Sequence, residues 1–233
     1  MTVTSFRFSL TWNRKLVSKL CQSKYYKNIP TRWSNMHKRG KAKVPSDSER
    51  KRLAATTKDG NHAKRNIALV TCSYRIGLRS KELVSLNLGS VMSEVGELFE
   101  QIDLTAAMTK GGKPRIAYLS NPIVRAALKD YLDDRRQKEG ILFNLAAPLF
   151  LSQKGSSFSP NTMQQLLGRL HDRAGITGGR SHSGRRWFAT ELINKGVDIK
   201  AVSVLMGHSS ISMTAQYVDD NPQRLRRIAA ELV

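Results

Sequence analysis

A chain of 233 residues with 40% hydrophobic content has the size and composition of one large or two small globular domains with a buried core. Its charge is not ordinary: 39 Lys and Arg against 18 Asp and Glu leave a net +21 and a pI near 10.4, a surplus that attracts polyanions, either nucleic acid or an anionic membrane. No apolar run reaches the roughly 18 residues of a membrane span, and the opening MTVTSFRFSLTWNRKL lacks a signal-peptide core, so the expected setting is nucleic acid in the cytoplasm, with no membrane.

Residues 1–52 carry 14 Lys and Arg and two acids, Asp47 and Glu49, a net of +12 out of the total +21. Residues 1–45 therefore read as a basic arm or remnant, in part disordered, and 46–233 as the folded domain. The arm reads equally as a solvated tail or as a tether along DNA phosphates, with Tyr25, Tyr26 and Trp33 available to stack. Ser46 and Glu49 predict a capping box opening a helix that ends in the turn KDGN, 58–61. Ile67, Val70 and Tyr74 repeat at helical spacing in the next segment, and after Gly77 a further helix carries RSKELVSL.

In ELFEQIDLTAAMTK the period changes. Leu98, Ile102, Leu104, Ala106 and Met108 fall mostly on alternate positions, the mark of a half-buried strand. Gly111-Gly112 supplies a turn and KPRIAYLS returns as a second strand. Helices resume in NPIVRAALKDYLDDRRQ and in SPNTMQQLLGRLHDRAG, the latter opened by Ser159-Pro160. Three more cover about 183–195, 198–206 and 210–217, and a last begins at Asn221-Pro222 with an apolar stripe of Leu225, Ile228, Ala229 and Leu232. The expected fold class is mainly α with a small antiparallel β-sheet (α+β).

Cys21 and Cys72 form no CxxC pair, the five histidines show no metal-ligand spacing, and no GxxxxGK[ST] loop is present, so neither a metal nor another cofactor is expected. Four stretches carry the chemistry instead. In GLRSKEL, Arg79 and Glu82 lie three apart on one helix face. The hairpin tip TKGGKPR presents Lys110 on a turn. In SHSGRRWFATELINKG, His182 and Arg185 sit three apart at a helix start, where anions are favoured. In LMGHSSISMTAQYV, His208 follows a helix-ending glycine and Tyr217 stands nine residues on. Each alone reads as well as a surface ion pair, a solubilising turn, a capped helix or a packed tyrosine.

Together they form a set suited to phosphoryl transfer by positioning and charge. Arg79 and Arg185 would clamp non-bridging oxygens through paired N–H donors, and His208 would donate another hydrogen bond. Tyr217 would be the nucleophile; a free phenol has a pKa of about 10, so it needs cations nearby and a base, here His182. Lys110 would protonate the departing 5′ oxygen, with Glu82 in support of Arg79. Lys113, Arg115, Arg180 and Arg186 are the expected further DNA contacts.

In order and separation, GLRSKEL, TKGG, HSGR and LMGHSSISMTAQY resemble the motifs of the tyrosine recombinases, the phage-integrase family, over about residues 50–232. The resemblance implies the tyrosine recombinase catalytic-domain fold for 46–233. It implies site-specific cutting and rejoining of double-stranded DNA through a 3′-phosphotyrosyl intermediate without metal or ATP, by a homotetramer joined through the C-terminal helix. The roles it assigns fall on Arg79, Lys110, His182, Arg185, His208 and Tyr217, with Glu82 in support. Three positions depart from the family: Arg186-Trp187 stand where His-Thr is usual, and Lys81 replaces a common serine before Glu82. Family members usually carry a separate helical core-binding domain of roughly a hundred residues, whereas a basic stretch of 52 residues stands here, so the chain reads either as a minimal form or as a truncated element. The alternatives are a catalytically idle DNA-binding regulator of the same fold, a type IB-like topoisomerase and, more distantly, a structural basic protein of ribosomal character.

Overall fold

The computed structural model describes residues 40–109, 111–219 and the positions 226, 229 and 230. Lys110, the arm as far as residue 39 with Tyr25, Tyr26 and Trp33, and the stripe residues Leu225, Ile228 and Leu232 lie outside the described residues; Ala229 is helical and exposed. Every named element belongs to the unit Ala42–Val233.

Capping chemistry sets most of the helix starts. The Ser46 side chain accepts from Glu49 N–H while the Ser46 N–H donates to the Glu49 carboxylate at 3.0 Å, and α1 runs Asp47–Thr57 as expected. Helix α2 spans Ala63–Arg75 and α3 spans Ser80–Ser85. Asn121 and Ser159 cap α4, Pro122–Glu139, and α5, Pro160–Arg173, each with proline in the first turn, where its missing N–H costs nothing. Helices α6, Ser183–Asn194, α7, Ile199–Met206, and α8, Ser212–Asp219, fall where the sequence predicts them.

The sheet has two antiparallel strands, β1 Gln101–Leu104 and β2 Arg115–Tyr118, in the register Ile102↔Ala117 and Leu104↔Arg115. Ile102, Leu104 and Ala117 point into the core. The strand is shorter than the alternating pattern suggests: Ala106 is exposed and lies past its end. The next pair beyond Leu104↔Arg115 would require Pro114, which has no N–H to give to the ladder.

Helix α2 packs against both α4 and α6, so it is buried around much of its circumference. Ala68, Leu69 and Cys72 are its most deeply buried apolar side chains, whereas Ile67 and Val70, chosen from spacing, are only half-buried. With Leu83, Leu104, Leu128 and Leu149, these side chains form the main core, each fully buried large aliphatic contributing about 1.5–3 kcal/mol. A second cluster lies among α6, α7 and α8. Ala189 and Ile193 of α6, Val202 and Met206 of α7, and Tyr217 of α8 pack together, with Phe188 and Leu192 at the margin. Tyr217 thus has its ring in a small apolar core of its own.

Candidate active site

Three arginines converge on the C-terminal end of α7, whose last carbonyls have no partner within the helix. Arg115 donates to Leu205 O at 2.8 Å, Arg185 donates to Met206 O, and Arg79 donates to Gly207 O at 3.4 Å. Guanidiniums suit this end of a helix, where the macrodipole is negative. Gly207 terminates α7 with φ +56°, and a Cβ there would lie 2.4 Å from Arg115 Cδ. Only glycine satisfies both the left-handed turn and the close approach. The LMG of the motif therefore shapes the arginine cluster before His208 enters it.

The opposite anchor is Glu82, fully buried in α3. As the third residue of that helix it accepts the Arg79 backbone N–H at 2.7 Å and the Arg79 guanidinium at 2.8 Å. It also accepts two bonds from Arg115, at 2.7 and 3.3 Å. Burial alone would raise its carboxyl. The hydrogen bonds and charge of Arg115, the Arg79 N–H and the Arg185 charge outweigh that and hold it at about 2. Arg185, on α6, donates to Gly77 O at 2.6 Å as well as to Met206 O. Burial, then the neighbouring Arg79 and Arg115, lower its guanidinium to about 9, which leaves it charged at neutral pH. Three guanidiniums thus share one carboxylate, and the residual positive charge is what an anion would neutralise. A guanidinium has five N–H donors, so the two carbonyls that Arg185 serves do not exhaust it.

Beside this cluster lies an open groove of about 710 Å³, lined among others by Arg79, Arg185, His208, Tyr217, His182 and Lys113. His208 stacks on the Tyr217 ring, with centroids 6.1 Å apart and planes 10° from parallel, and its Nδ1 lies 2.8 Å from Thr214 Oγ1. Burial and the charges of Arg185, Arg79 and Arg115 push the imidazole down to about 4, so it is neutral at pH 7. Tyr217 is 7% exposed, and the described residues offer its hydroxyl no hydrogen bond. His182 is the exposed N-cap position of α6, with no side-chain capping bond.

Geometry places the expected DNA contacts differently. Lys113 and Arg180 are exposed. Arg186 holds its guanidinium 5.4 Å from the centre of the Tyr217 ring, within cation–π range. Arg115 does not face outward: its side chain is 5% exposed and committed to Glu82 and Leu205. The period of the strand carries the signal, since Arg115 shares its face with Ala117 and Leu119, both buried. Lys81, noted only as a departure, lines the groove and donates to Thr109 O at 2.9 Å, at the foot of the hairpin. Lys110 itself lies outside the described residues.

The model of the phage integrase family matches residues 45–224. Tyrosine recombinase XerC of Pelobacter propionicus is 30% identical over 177 residues, covering 76% of this chain and 54% of that relative. Tyrosine recombinase XerD of Mycobacterium leprae is 35% identical over 178 residues, covering 74% and 53%. The chain spans about half the length of these curated relatives. Among solved structures, the XerA recombinase aligns with a TM-score of 0.66 at 27% identity, covering 81% of this chain and 64% of that one. The XerH site-specific recombinase aligns with a TM-score of 0.63 at 25% identity, covering 80% and 51%. The mostly helical unit with one small antiparallel sheet is the tyrosine recombinase catalytic-domain fold. With four ordered motifs, a shared fold and a family match over most of its length, the chain belongs to the phage integrase family.

Proposed function

We propose that this chain cuts and rejoins DNA at a defined site, with Tyr217 as nucleophile. The phenolic oxygen attacks the scissile phosphorus as its proton passes to His182. The bond to the 5′ oxygen breaks, and Lys110 delivers a proton to that oxygen. The products are a 3′-phosphotyrosyl bond and a free 5′-OH. The phosphodiester is conserved in the protein–DNA link, so a 5′-OH from a second duplex reverses the step on a new strand with no ATP. Arg79 and Arg185 hold the non-bridging oxygens, and neutral His208 donates to one of them, the preorganised charge stabilisation on which phosphoryl transfer depends.

The observation that carries this reading is the juxtaposition of a surplus of buried guanidinium charge with Tyr217 on one groove. Support also comes from the similar XerH recombinase, described as bound to its palindromic difH substrate in a post-cleavage complex. The reaction needs no metal in this scheme, because the guanidiniums supply the charge. The acting species is a homotetramer on two duplexes, joined through the segment after Tyr217, in the cytoplasm.

The test is a duplex carrying a candidate site, such as inverted repeats flanking the chain's own gene, nicked just 3′ of the cleavage point so that the short fragment bearing the new 5′-OH diffuses away after cleavage. The chain should accumulate a covalent complex that survives denaturant. Binding without any complex would favour a regulator that does not cut. Plasmid relaxation independent of the site would favour a topoisomerase.

A further inference from the structure

The hydrogen bond between His208 and Thr214 assigns a role to a residue that the phosphate-binding set does not include. We infer that Thr214 is a positioning residue: its hydroxyl donates to His208 Nδ1 and so fixes the imidazole with its proton on Nε2, the nitrogen left to donate to the DNA phosphate. The inference deepens the cleavage reading and rests on it for the destination of that proton.

The direction of the bond follows from accounting for a buried hydrogen. Thr214 is fully buried in the first turn of α8. Its Oγ1 lies 2.8 Å from His208 Nδ1, and the described residues give that hydroxyl no other partner. If Nδ1–H were the donor, the hydroxyl hydrogen would be left in the interior without an acceptor, at a cost of about 1–3 kcal/mol. If the hydroxyl donates, both groups are satisfied. A neutral imidazole has one N–H, so the proton then resides on Nε2. The same choice suits the groove. An Nε2 lone pair facing a phosphate oxygen would repel it, whereas Nε2–H attracts it. Because His208 stacks on Tyr217, and Thr214 and Tyr217 lie three apart on α8, one short helix carries both the nucleophile and the group that orients its neighbour.

Long-range ¹H–¹⁵N correlation of the histidine-labelled full chain, with His208 assigned through His208→Gln, reads the tautomer directly. The wild type should show Nε2 protonated and Nδ1 unprotonated. Thr214→Val, which keeps the shape and loses the hydroxyl, should mix or invert the tautomers; Thr214→Ser should restore the wild-type pattern. On the nicked duplex, Thr214→Val should form covalent complex roughly 10- to 100-fold more slowly with unchanged DNA binding, less than the ~10²–10³ expected for deleting a charge-stabilising donor outright. Thr214→Ser should stay within about 3-fold of wild type, since it retains the donor. An Nδ1–H tautomer in the wild type overturns the inference, as does a folded Thr214→Val with unaltered tautomer and rate. Should Thr214→Val fail to fold, the wild-type spectrum and Thr214→Ser still decide. If the wild-type chain forms no covalent complex, the cleavage reading fails, and the tautomer of the free protein is still read.

Discussion

Replacing Arg115 with methionine separates a structural guanidinium from a DNA-binding one. The Glu82 side chain is 0% exposed and that of Arg115 5%. The substitution leaves Glu82 paired with Arg79 alone and strips the Leu205 carbonyl of its donor. Removing one partner of a buried pair costs about 3–5 kcal/mol, because the remaining charge stays desolvated. In a domain of this size each kcal/mol lowers Tm by about 2–4 °C, so the drop should be on the order of 10 °C. Thermal unfolding followed by circular dichroism measures it. The double variant with Glu82→Gln should lose less than the sum of the two single changes, since each removes the same interaction. A Tm within about 2 °C of wild type, together with a salt dependence of DNA binding weakened by roughly one phosphate contact, would make Arg115 a surface ligand and refute the burial argument.

Gly207→Ala should destabilise the chain by at least about 1–2 kcal/mol from the left-handed backbone alone, and more through the displaced Arg115 side chain, read as a lowered urea midpoint with unchanged slope. The Glu82 carboxyl sits at about 2 in the folded chain against 4.5 ordinarily, so its contribution is fully present above about pH 4.5 and disappears as pH falls toward 2. The loss is on the order of 3 kcal/mol; Glu82→Gln should flatten that part of the stability profile measured by denaturant melts. His208, held at about 4 against 6.5, should titrate in the free protein with a midpoint near 4 by NMR. Its contribution to stability is complete above about pH 6.5 and is lost as pH falls through 4, and a midpoint at 6.5 would mean that neither burial nor the arginines act on it.

Helix starts were readable because they depend on a few local atoms: Ser46 with Glu49, and Ser159 followed by Pro160, satisfy N–H groups within one turn. The hairpin was readable from its period and from Gly111-Gly112, but the strand end was overrun because pairing depends on the partner strand, where Pro114 cannot donate. The spacing of Ile67, Val70 and Tyr74 marks α2 as a helix, but of the three only Tyr74 is buried, since a helix covered by both α4 and α6 buries other positions as well. At the site, motif order identified Arg79, Arg185, His208 and Tyr217, and folding brings them to one groove. What motifs do not encode is tertiary partnership. That Arg115, Arg185 and Arg79 each cap a carbonyl at the end of α7 requires the helix to be placed first. The alternation through Arg115, Ala117 and Leu119 was the only local hint.

The claim on which the rest depends is that fixed guanidiniums let Tyr217 break a DNA backbone reversibly. Its most direct test is to digest the covalent complex formed in excess EDTA and identify the DNA-bearing peptide by mass spectrometry. The expected result is a 3′-phosphoryl nucleotide on Tyr217, no complex with Tyr217→Phe, and no loss of yield from the chelator. Attachment through another residue, a 5′ linkage, or a reaction abolished by EDTA would contradict it.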